Sequence, residues 1–174
     1  GPLVITNPSK VFDDDFYCTQ IKIPRNDGTN LADFLLANTL IKTIVIDGAN
    51  RKWIGTEYEG VYLLSEDGME TIHHFTAENS PLLSNNISSI DIHPRTGEVF
   101  IGTSKGLISY QSDATEGGEQ LSEDAYAYPN PVKSDYTGVI TVTGLVRDTN
   151  VKITNTSGKL IYSGTSVGGQ FTWN

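Results

Sequence analysis

The sequence predicts an all-β protein, and two observations carry that prediction. First, apolar residues alternate with polar ones in short segments, so that Ile44 and Ile46 share one face in "TIVID" and Ile90 and Ile92 share one face in "SIDIH". These segments end at glycine-rich turns, as strands joined by hairpins do. Second, the chain repeats a pattern of about 46 residues, which is typical of architectures built from small repeated sheets.

The repeat is visible when "LIKTIVIDGANRKWIGTEYEGVYLL" is aligned with "NISSIDIHPRTGEVFIGTSKGLISY". Ile44 then meets Ile90 at a spacing of 46 residues, and Gly55 meets Gly102 at 47. The complete unit holds four strand-like segments, "TIVID", "RKWIGT", "GVYLLS" and "METIHHF". A period of roughly 40 to 50 residues with four strands predicts a β-propeller blade. An earlier partial unit supplies "LVIT" and "QIKIP".

Eight repeat residues are predicted to shape the blades. Glycines are expected where the second strand ends and the third begins, because backbones crowd or φ becomes positive there. The threonine after the first glycine is expected to hydrogen-bond a neighbouring strand, and the aromatic residue of the second strand should wedge between blades. In the first copy these residues are Trp53, Gly55, Thr56 and Gly60. In the second copy they are Phe100, Gly102, Thr103 and Gly106. Because the pattern occurs twice, we predict that it is architectural rather than catalytic.

The chain is predicted to divide into three parts. Residues 1–111 hold two blades and part of a third, residues 112–124 form a linker rich in serine, glycine and acidic residues, and residues 125–174 form a second domain. The one helix-like segment is "NLADFLLANTL", which we expect to be a helical turn or a loop between strands.

Composition and charge exclude several functions. The 174 residues include 37% hydrophobic and 19% charged residues, which is typical of a globular protein. The net charge of -9 leaves no basic patch for a phosphate backbone, so no nucleic-acid binding is expected. Cys18 is the only cysteine, which rules out an internal disulfide, and its strand-like surroundings predict a buried, inert thiol.

No constellation of residues predicts catalysis. The motifs of serine hydrolases, phosphate loops and zinc proteases are missing, so we expect no enzyme, no catalytic residue, no metal site and no cofactor. His73 and His74 are adjacent in a strand and point to opposite faces, which disfavours a shared metal, and His93 begins a turn. The aspartates at 13–15 lack the spacing of a calcium loop, so a solvated loop is preferred over a weak cation site.

The repeat resembles the two-component-regulator propeller repeat, whose pattern runs I-x-x-I-x-x-D, W-I-G-T and G-V-Y. The matching residues are Ile41, Ile44, Asp47, Trp53, Gly55, Thr56 and Gly60. The second copy departs from the pattern at His93 and Phe100. In that family the repeats build seven-bladed rings in periplasmic sensors and envelope proteins of Bacteroidetes. The resemblance therefore implies an exported propeller, and blades left open in a fragment are expected to favour non-native self-association.

The C-terminal segment resembles the immunoglobulin-like C-terminal domain of type IX secretion cargo. In that family "YPNPV" opens the first strand, and a glycine lies in a hairpin at mid-domain. The matching residues are Tyr128, Pro129, Asn130, Pro131 and Gly158. The family pattern continues with a further turn and strand, so the resemblance implies that the β-sandwich here is incomplete.

Together, the two resemblances imply a cell-surface component of type IX secretion, which anchors cargo and takes part in delivering anionic lipopolysaccharide. Such a component is non-enzymatic, resides in the cell envelope, and binds proteins of the attachment machinery and a glycan or lipopolysaccharide. The alternative is the periplasmic, ligand-sensing propeller of a hybrid two-component regulator. A regulator propeller leads into a different three-stranded domain, so "YPNP" favours the secretion component.

Overall fold

The computed structural model describes residues 1–25, 28–120 and 125–174. Within these ranges the secondary structure consists of sixteen β-strands and one short 3-10 helix, Pro8–Lys10. None of the helical structure described there is long and apolar enough to cross a membrane. The predicted all-β class is confirmed, and the strands form several small sheets rather than one large sheet.

Four short strands precede the repeat. β1 (Leu3–Val4) pairs with β2 (Thr19–Gln20), and β3 (Lys22–Pro24) pairs with β4 (Ala32–Phe34). Cys18 lies directly before β2 and is exposed, so the predicted burial of its thiol was wrong. The reason is that β1 and β2 are two residues long and expose all their side chains, so the pair builds no core around the cysteine.

The helix-like segment "NLADFLLANTL" contains a strand. Ala32–Phe34 forms β4 because it pairs with β3, where Lys22 lies opposite Phe34 and its Nζ is 5.2 Å from the ring centre. The chain then turns, with Leu36 at φ 48°, while Leu35 is buried. The expectation of a helical turn or loop missed this strand, because pairing with β3 overrides the local spacing of apolar residues.

The first repeat forms a complete four-stranded sheet, which we call repeat 1. It contains β5 (Ile41–Ile46), β6 (Lys52–Thr56), β7 (Val61–Leu64) and β8 (Thr71–Phe75), hydrogen-bonded in chain order. These are the four segments that the repeat pattern predicted. The two central strands provide most of its buried apolar side chains, which are Trp53, Ile54, Val61, Leu63 and Leu64.

The second repeat, called repeat 2, has three strands. They are β9 (Ile87–Ile92), β10 (Glu98–Thr103) and β11 (Gly106–Gln111), again adjacent in chain order. Its buried apolar residues lie on the first two strands and are Ile87, Ile90, Val99 and Ile101. β11 and β9 are therefore the two edges of this sheet.

The C-terminal strands form two small antiparallel sheets, as an immunoglobulin-like sandwich requires. β12 (Tyr126–Tyr128), β13 (Ile140–Thr143) and β16 (Gln170–Trp173) make one sheet in the order β12-β13-β16. β14 (Asn150–Thr154) and β15 (Leu160–Thr165) make the other. The segments "VITVTGL", "VKITNTSGKLIYSG" and "GGQFTW" supply β13 to β16, whereas β12 comes from "YAY" before the two prolines.

The chain folds into two compact units. The first comprises Gly1–Val45, Arg51–Ile90 and Ile101–Ile108, and the second comprises Ile46–Asn50, Asp91–Phe100 and Ser109–Asn174.

The start of the predicted linker is packed inside the second unit. Ser112, Ala114 and Thr115 are buried, and the backbone oxygen of Thr115 accepts a hydrogen bond from the Gly169 N–H at 2.8 Å. A flexible linker would expose these side chains, so packing fixes this part of the connection. The end of that segment, residues 121–124, lies outside the described residues, and the predicted domain boundaries remain predictions.

Candidate functional site

The threonine of repeat 1 fixes the turn between its second and third strands. Thr56 is fully buried, and its Oγ1 donates a hydrogen bond to the Gly60 carbonyl at 2.8 Å. The same oxygen accepts a hydrogen bond from the Glu59 N–H at 3.0 Å. A buried hydroxyl without partners is costly, and both the donor and an acceptor site of this hydroxyl are used. We expected a bond to a neighbouring strand, whereas these two partners belong to the turn that precedes β7.

The threonine of repeat 2 has the same role. Thr103 Oγ1 donates to the Gly106 carbonyl at 2.9 Å and accepts from the Lys105 N–H at 3.1 Å. Two residues separate Thr103 from Gly106, whereas three separate the equivalent pair in repeat 1. Because the same two bonds form around turns of different length, the threonine serves the turn in both repeats.

Close packing accounts for the glycine before each threonine. A Cβ on Gly55 would lie 2.6 Å from Cγ2 of Ile87 and 2.7 Å from Cγ2 of Thr43. A Cβ on Gly102 would lie 2.6 Å from Oγ of Ser89. Neither glycine has a positive φ, so of the two predicted reasons, crowding is the one that applies.

Backbone conformation accounts for the glycine that begins each third strand. Gly60 has φ +77°, and a Cβ there would also overlap the carbonyl oxygen of Phe75. Gly106 has φ +132°. Residues that carry a side chain rarely adopt these backbone conformations, so glycine is required at both positions.

The aromatic position of the repeat differs in burial between the two copies. Trp53 is fully buried, and its ring stacks on Phe75 of β8 with centres 6.1 Å apart and planes 3° apart. Phe100, the equivalent residue in repeat 2, is only partly buried. The proposed wedge between adjacent blades remains a prediction.

A group of polar side chains lies beside the turn of repeat 1. The carboxylate of Glu59 accepts hydrogen bonds from the Tyr62 hydroxyl and from Thr39 Oγ1, both at 2.9 Å. The His74 ring stacks on Tyr62 with centres 3.9 Å apart, and its Nε2 lies 2.6 Å from the Glu59 carbonyl oxygen. A carbonyl only accepts, so Nε2 is the donor. We call Glu59, Tyr62 and His74 the polar cluster.

The environment of the polar cluster keeps its phenol protonated. Partial burial, together with the hydrogen bond to the nearby Glu59 carboxylate, raises the pKa of Tyr62 to about 12. The phenol therefore remains a hydrogen-bond donor at neutral pH and well above it. Its bond to Glu59 and the contacts of His74 link the turn to β7 and β8. Sequence reasoning considered His74 but missed Glu59 and Tyr62. The available signal was the turn "EYEG", which is one residue longer than "SKG" in repeat 2.

The other candidate metal ligands lie apart. His73 is on β8, whereas His93 follows β9 and its Nδ1 accepts a hydrogen bond from the Thr96 N–H at 3.3 Å. In the aspartate run, Asp15 pairs with Lys10 at 3.5 Å. Among the residues described, no group of three or more histidine, cysteine or acidic side chains could hold a metal ion.

The prolines of the C-terminal motif line an open cleft. Tyr128 ends β12 opposite Thr141, and Asn130 lies between the two prolines. The cleft has a volume of about 370 Å³ and is lined by Pro129, Pro131, Lys133, Asp135 and Tyr136. It is a shallow surface feature at the start of the C-terminal sheets.

Gly158 lies in the hairpin turn that joins β14 to β15. Its φ is +83°, a conformation that favours glycine. Asn155 organises the turn, because its Oδ1 accepts hydrogen bonds from the N–H groups of Ser157 and Lys159 at 3.1 and 2.9 Å. The motif glycine therefore has a structural role in the second sheet.

Comparison with known proteins finds a likeness to a solved structure. Neither a family model nor a curated protein matches the chain. A solved structure of PorZ, described as an essential bacterial surface component of the type IX secretion system of Porphyromonas gingivalis, is 34% identical with a TM-score of 0.61. The chain resembles PorZ. The likeness covers 98% of this chain and 23% of the PorZ chain, so the 174 residues correspond to about a quarter of PorZ.

A second solved structure is the extracellular domain of a hybrid two-component system of B. thetaiotaomicron. It is 25% identical, covers 75% of this chain and 17% of that one, and has a TM-score of 0.38, which is too low to show a shared fold. PorZ is a type IX surface component, one of the two kinds of protein that the motifs predicted. Because the PorZ likeness covers 98% of this chain, it spans both the repeats and the C-terminal strands.

Proposed function

We propose that this chain is part of a non-enzymatic surface component of a type IX secretion system. The observation that supports the proposal is the 34% identity to PorZ over 98% of the chain, which includes the two repeats and the "YPNP" segment together. A sensor propeller accounts for the repeats but not for the C-terminal strands. We therefore prefer the secretion component over the sensing module.

The proposed action is binding rather than catalysis. The best-defined polar group, the polar cluster, uses its hydrogen bonds within repeat 1, with Tyr62 donating to Glu59 and His74 donating to the Glu59 backbone. In this proposal the surface of the repeats binds proteins of the attachment machinery. The component to which the repeats belong takes part in delivering anionic lipopolysaccharide for the anchoring of cargo. The C-terminal sheets serve as the sorting domain that directs export to the cell surface.

A chimera tests the proposal. The corresponding quarter of PorZ in P. gingivalis is replaced by these 174 residues, and the anchoring of type IX cargo on the cell surface is measured. We expect anchoring to be restored relative to a strain without PorZ. The matched control carries Gly60→Val, which disrupts the turn of repeat 1 and should abolish rescue. A chimera that reaches the surface intact but anchors no cargo would contradict the proposal.

A further inference from the structure

A short segment follows repeat 2, and it is hydrogen-bonded to a turn of that repeat. We call residues 112–118 the connecting segment. The Ser112 N–H donates a hydrogen bond to the Gly97 carbonyl at 3.2 Å, and the Glu116 N–H donates to the Pro94 carbonyl at 2.9 Å. Both acceptors lie in the turn between β9 and β10. The connecting segment is therefore attached to this turn at two points.

The connecting segment is also hydrogen-bonded to the C-terminal sheets. The Thr115 carbonyl accepts a hydrogen bond from the Gly169 N–H at 2.8 Å, and the Gly118 N–H donates to the Leu145 carbonyl at 3.1 Å. Leu145 follows β13, and Gly169 directly precedes β16. These two residues are bonded to each other as well, since the Leu145 N–H donates to the Gly169 carbonyl at 2.9 Å. Bonds to the repeat and bonds to the C-terminal sheets thus alternate along a few residues.

Glycines from both repeats and from the C-terminal region approach the backbone of the connecting segment. A Cβ on Gly48, in the turn between β5 and β6, would overlap the carbonyl oxygen of Thr115, and so would a Cβ on Gly168. A Cβ on Gly97 would overlap the carbonyl oxygen of Ala114. Gly48 does not have a positive φ, so the close approach of the two backbones is what requires glycine there.

The two turns that contact the connecting segment are continuous with the strands of the repeats. The second compact unit contains these turns, as Ile46–Asn50 and Asp91–Phe100, together with Ser109–Asn174. The first turn joins β5 to β6 in repeat 1, and the second joins β9 to β10 in repeat 2. The connecting segment therefore contacts both repeats and the C-terminal sheets within one packed body.

We propose that the connecting segment couples the folding of the two repeats to the folding of the C-terminal sheets, so that all of them unfold in one cooperative transition. Domains joined by a flexible linker unfold independently, because the linker makes few contacts with either domain. Here, unfolding of the C-terminal sheets alone would remove the Gly169 partner of the buried Thr115. Unfolding of repeat 2 alone would remove the partners of Ser112 and Glu116. Backbone groups that lose their partners in a buried site are costly, so partial unfolding is disfavoured. The inference stands independently of the proposed function.

The two tryptophans of the chain report on the repeats and on the C-terminal sheets separately. Trp53 is fully buried in repeat 1, and Trp173 ends β16. A chain labelled with fluorotryptophan gives one fluorine NMR signal for each, and Trp173→Phe assigns them. Unfolding by urea is followed through both signals in the same sample. We expect the two native signals to disappear with the same midpoint, as a single cooperative transition requires.

A matched pair of glycine substitutions in repeat 1 tests the role of the connecting segment. Gly55→Ala adds a methyl group against Ile87, within the first compact unit, and should lower both midpoints together. Gly48→Ala adds a methyl group against the connecting segment and should separate the two midpoints. The Trp173 signal should then be lost at a urea concentration lower by about 0.5 M or more, because β14 and β15 have no buried side chain. Neither glycine has a positive φ, so both changes act through crowding.

Three results would overturn the inference. The first is a pair of midpoints that differ by more than about 0.5 M in the unmodified chain, since the repeats and the C-terminal sheets then unfold separately. The second is a Gly55→Ala chain in which only the Trp53 midpoint falls. The third is a Gly48→Ala chain whose midpoints still coincide, because cooperativity then does not depend on the connecting segment. If Gly48→Ala does not fold, Gly169→Ala replaces it, since a Cβ on Gly169 would overlap the carbonyl oxygen of Glu116.

Discussion

Repeat 1 and repeat 2 share a motif but not a level of burial. Both hold the turn before the third strand with a threonine hydroxyl, and both place glycine on either side of it. In repeat 1 the aromatic residue Trp53 and the third strand are enclosed by β8, whereas Phe100 and β11 are partly exposed. The motif therefore fixes local geometry, whereas burial depends on what packs around it: β8 pairs with β7, and Leu35 packs with Ile54 and Leu64. Substitutions at equivalent positions measure these two contributions separately.

The largest difference is expected at the aromatic position. Trp53→Ala removes a fully buried ring that stacks on Phe75, so it should lower the free energy of unfolding by about 3–5 kcal/mol. Phe100→Ala removes a partly exposed ring and should cost about 1 kcal/mol. Urea denaturation of both variants measures the difference. Equal losses would show that the enclosure by β8 contributes little.

The second-largest difference in stability loss is expected between the two glycines that precede the threonines, Gly55 and Gly102. Gly55→Ala places a methyl group against Ile87 and Thr43, two β-branched side chains with little freedom to move, and should cost about 2–3 kcal/mol. Gly102→Ala meets serine hydroxyls at 88 and 89, which can rotate away, and should cost about 1 kcal/mol. The thermal midpoints of the two variants provide the measurement. A larger loss for Gly102→Ala would show that crowding is not the cause.

Much of the fold could be predicted from the sequence because its signals are local. Alternation and glycine turns predicted repeat 1, repeat 2 and the C-terminal strands in their correct order. The prediction failed where strand pairing and its extent decide the outcome rather than the local spacing of apolar residues. β4 forms by pairing with β3, and Cys18 is exposed because the two-residue strands beside it build no core.

The candidate site was less predictable than the fold for the same reason. The eight repeat residues could be found because duplication marks them, and their local geometry follows from the turn. The polar cluster joins Glu59 to His74 over 15 residues, and that contact depends on the register of β7 against β8. Similarly, the burial of Thr115 depends on Gly169, which lies more than fifty residues away. Composition alone made that segment resemble a linker.

A smaller difference is expected between the two threonines. Thr56→Val keeps the shape but leaves the Glu59 N–H and the Gly60 carbonyl without this partner in a buried site, so we expect a loss of about 2 kcal/mol. Thr103→Val removes the same pair of bonds nearer to solvent and should cost about 1 kcal/mol. Urea denaturation measures both, and Thr→Ser variants are the controls because they retain the hydroxyl. Serine variants as unstable as the valine variants would contradict the role of the hydrogen bonds.

The smallest effect is specific to repeat 1 and depends on pH. The pKa of Tyr62 is raised from 10.0 to about 12, chiefly by burial and further by its bond to Glu59. Since the folded pKa exceeds the unfolded one, this contribution to stability is complete below pH 10 and is lost as pH rises from 10 to about 12. Tyr62→Phe keeps the ring that stacks on His74 but removes the titrating hydroxyl.

The difference in unfolding free energy between the unmodified chain and Tyr62→Phe should therefore be constant up to about pH 10 and decrease above it. Repeat 2 supplies the control, because Ile108 occupies the position of Tyr62 and cannot titrate. An Ile108→Val variant should show a pH-independent difference over the same range. If the Tyr62→Phe difference also stays constant between pH 10 and 12, neither burial nor the bond to Glu59 raises the pKa of Tyr62 in solution. The polar cluster would then contribute through the stacking of His74 on Tyr62 and the bond from His74 to the Glu59 backbone.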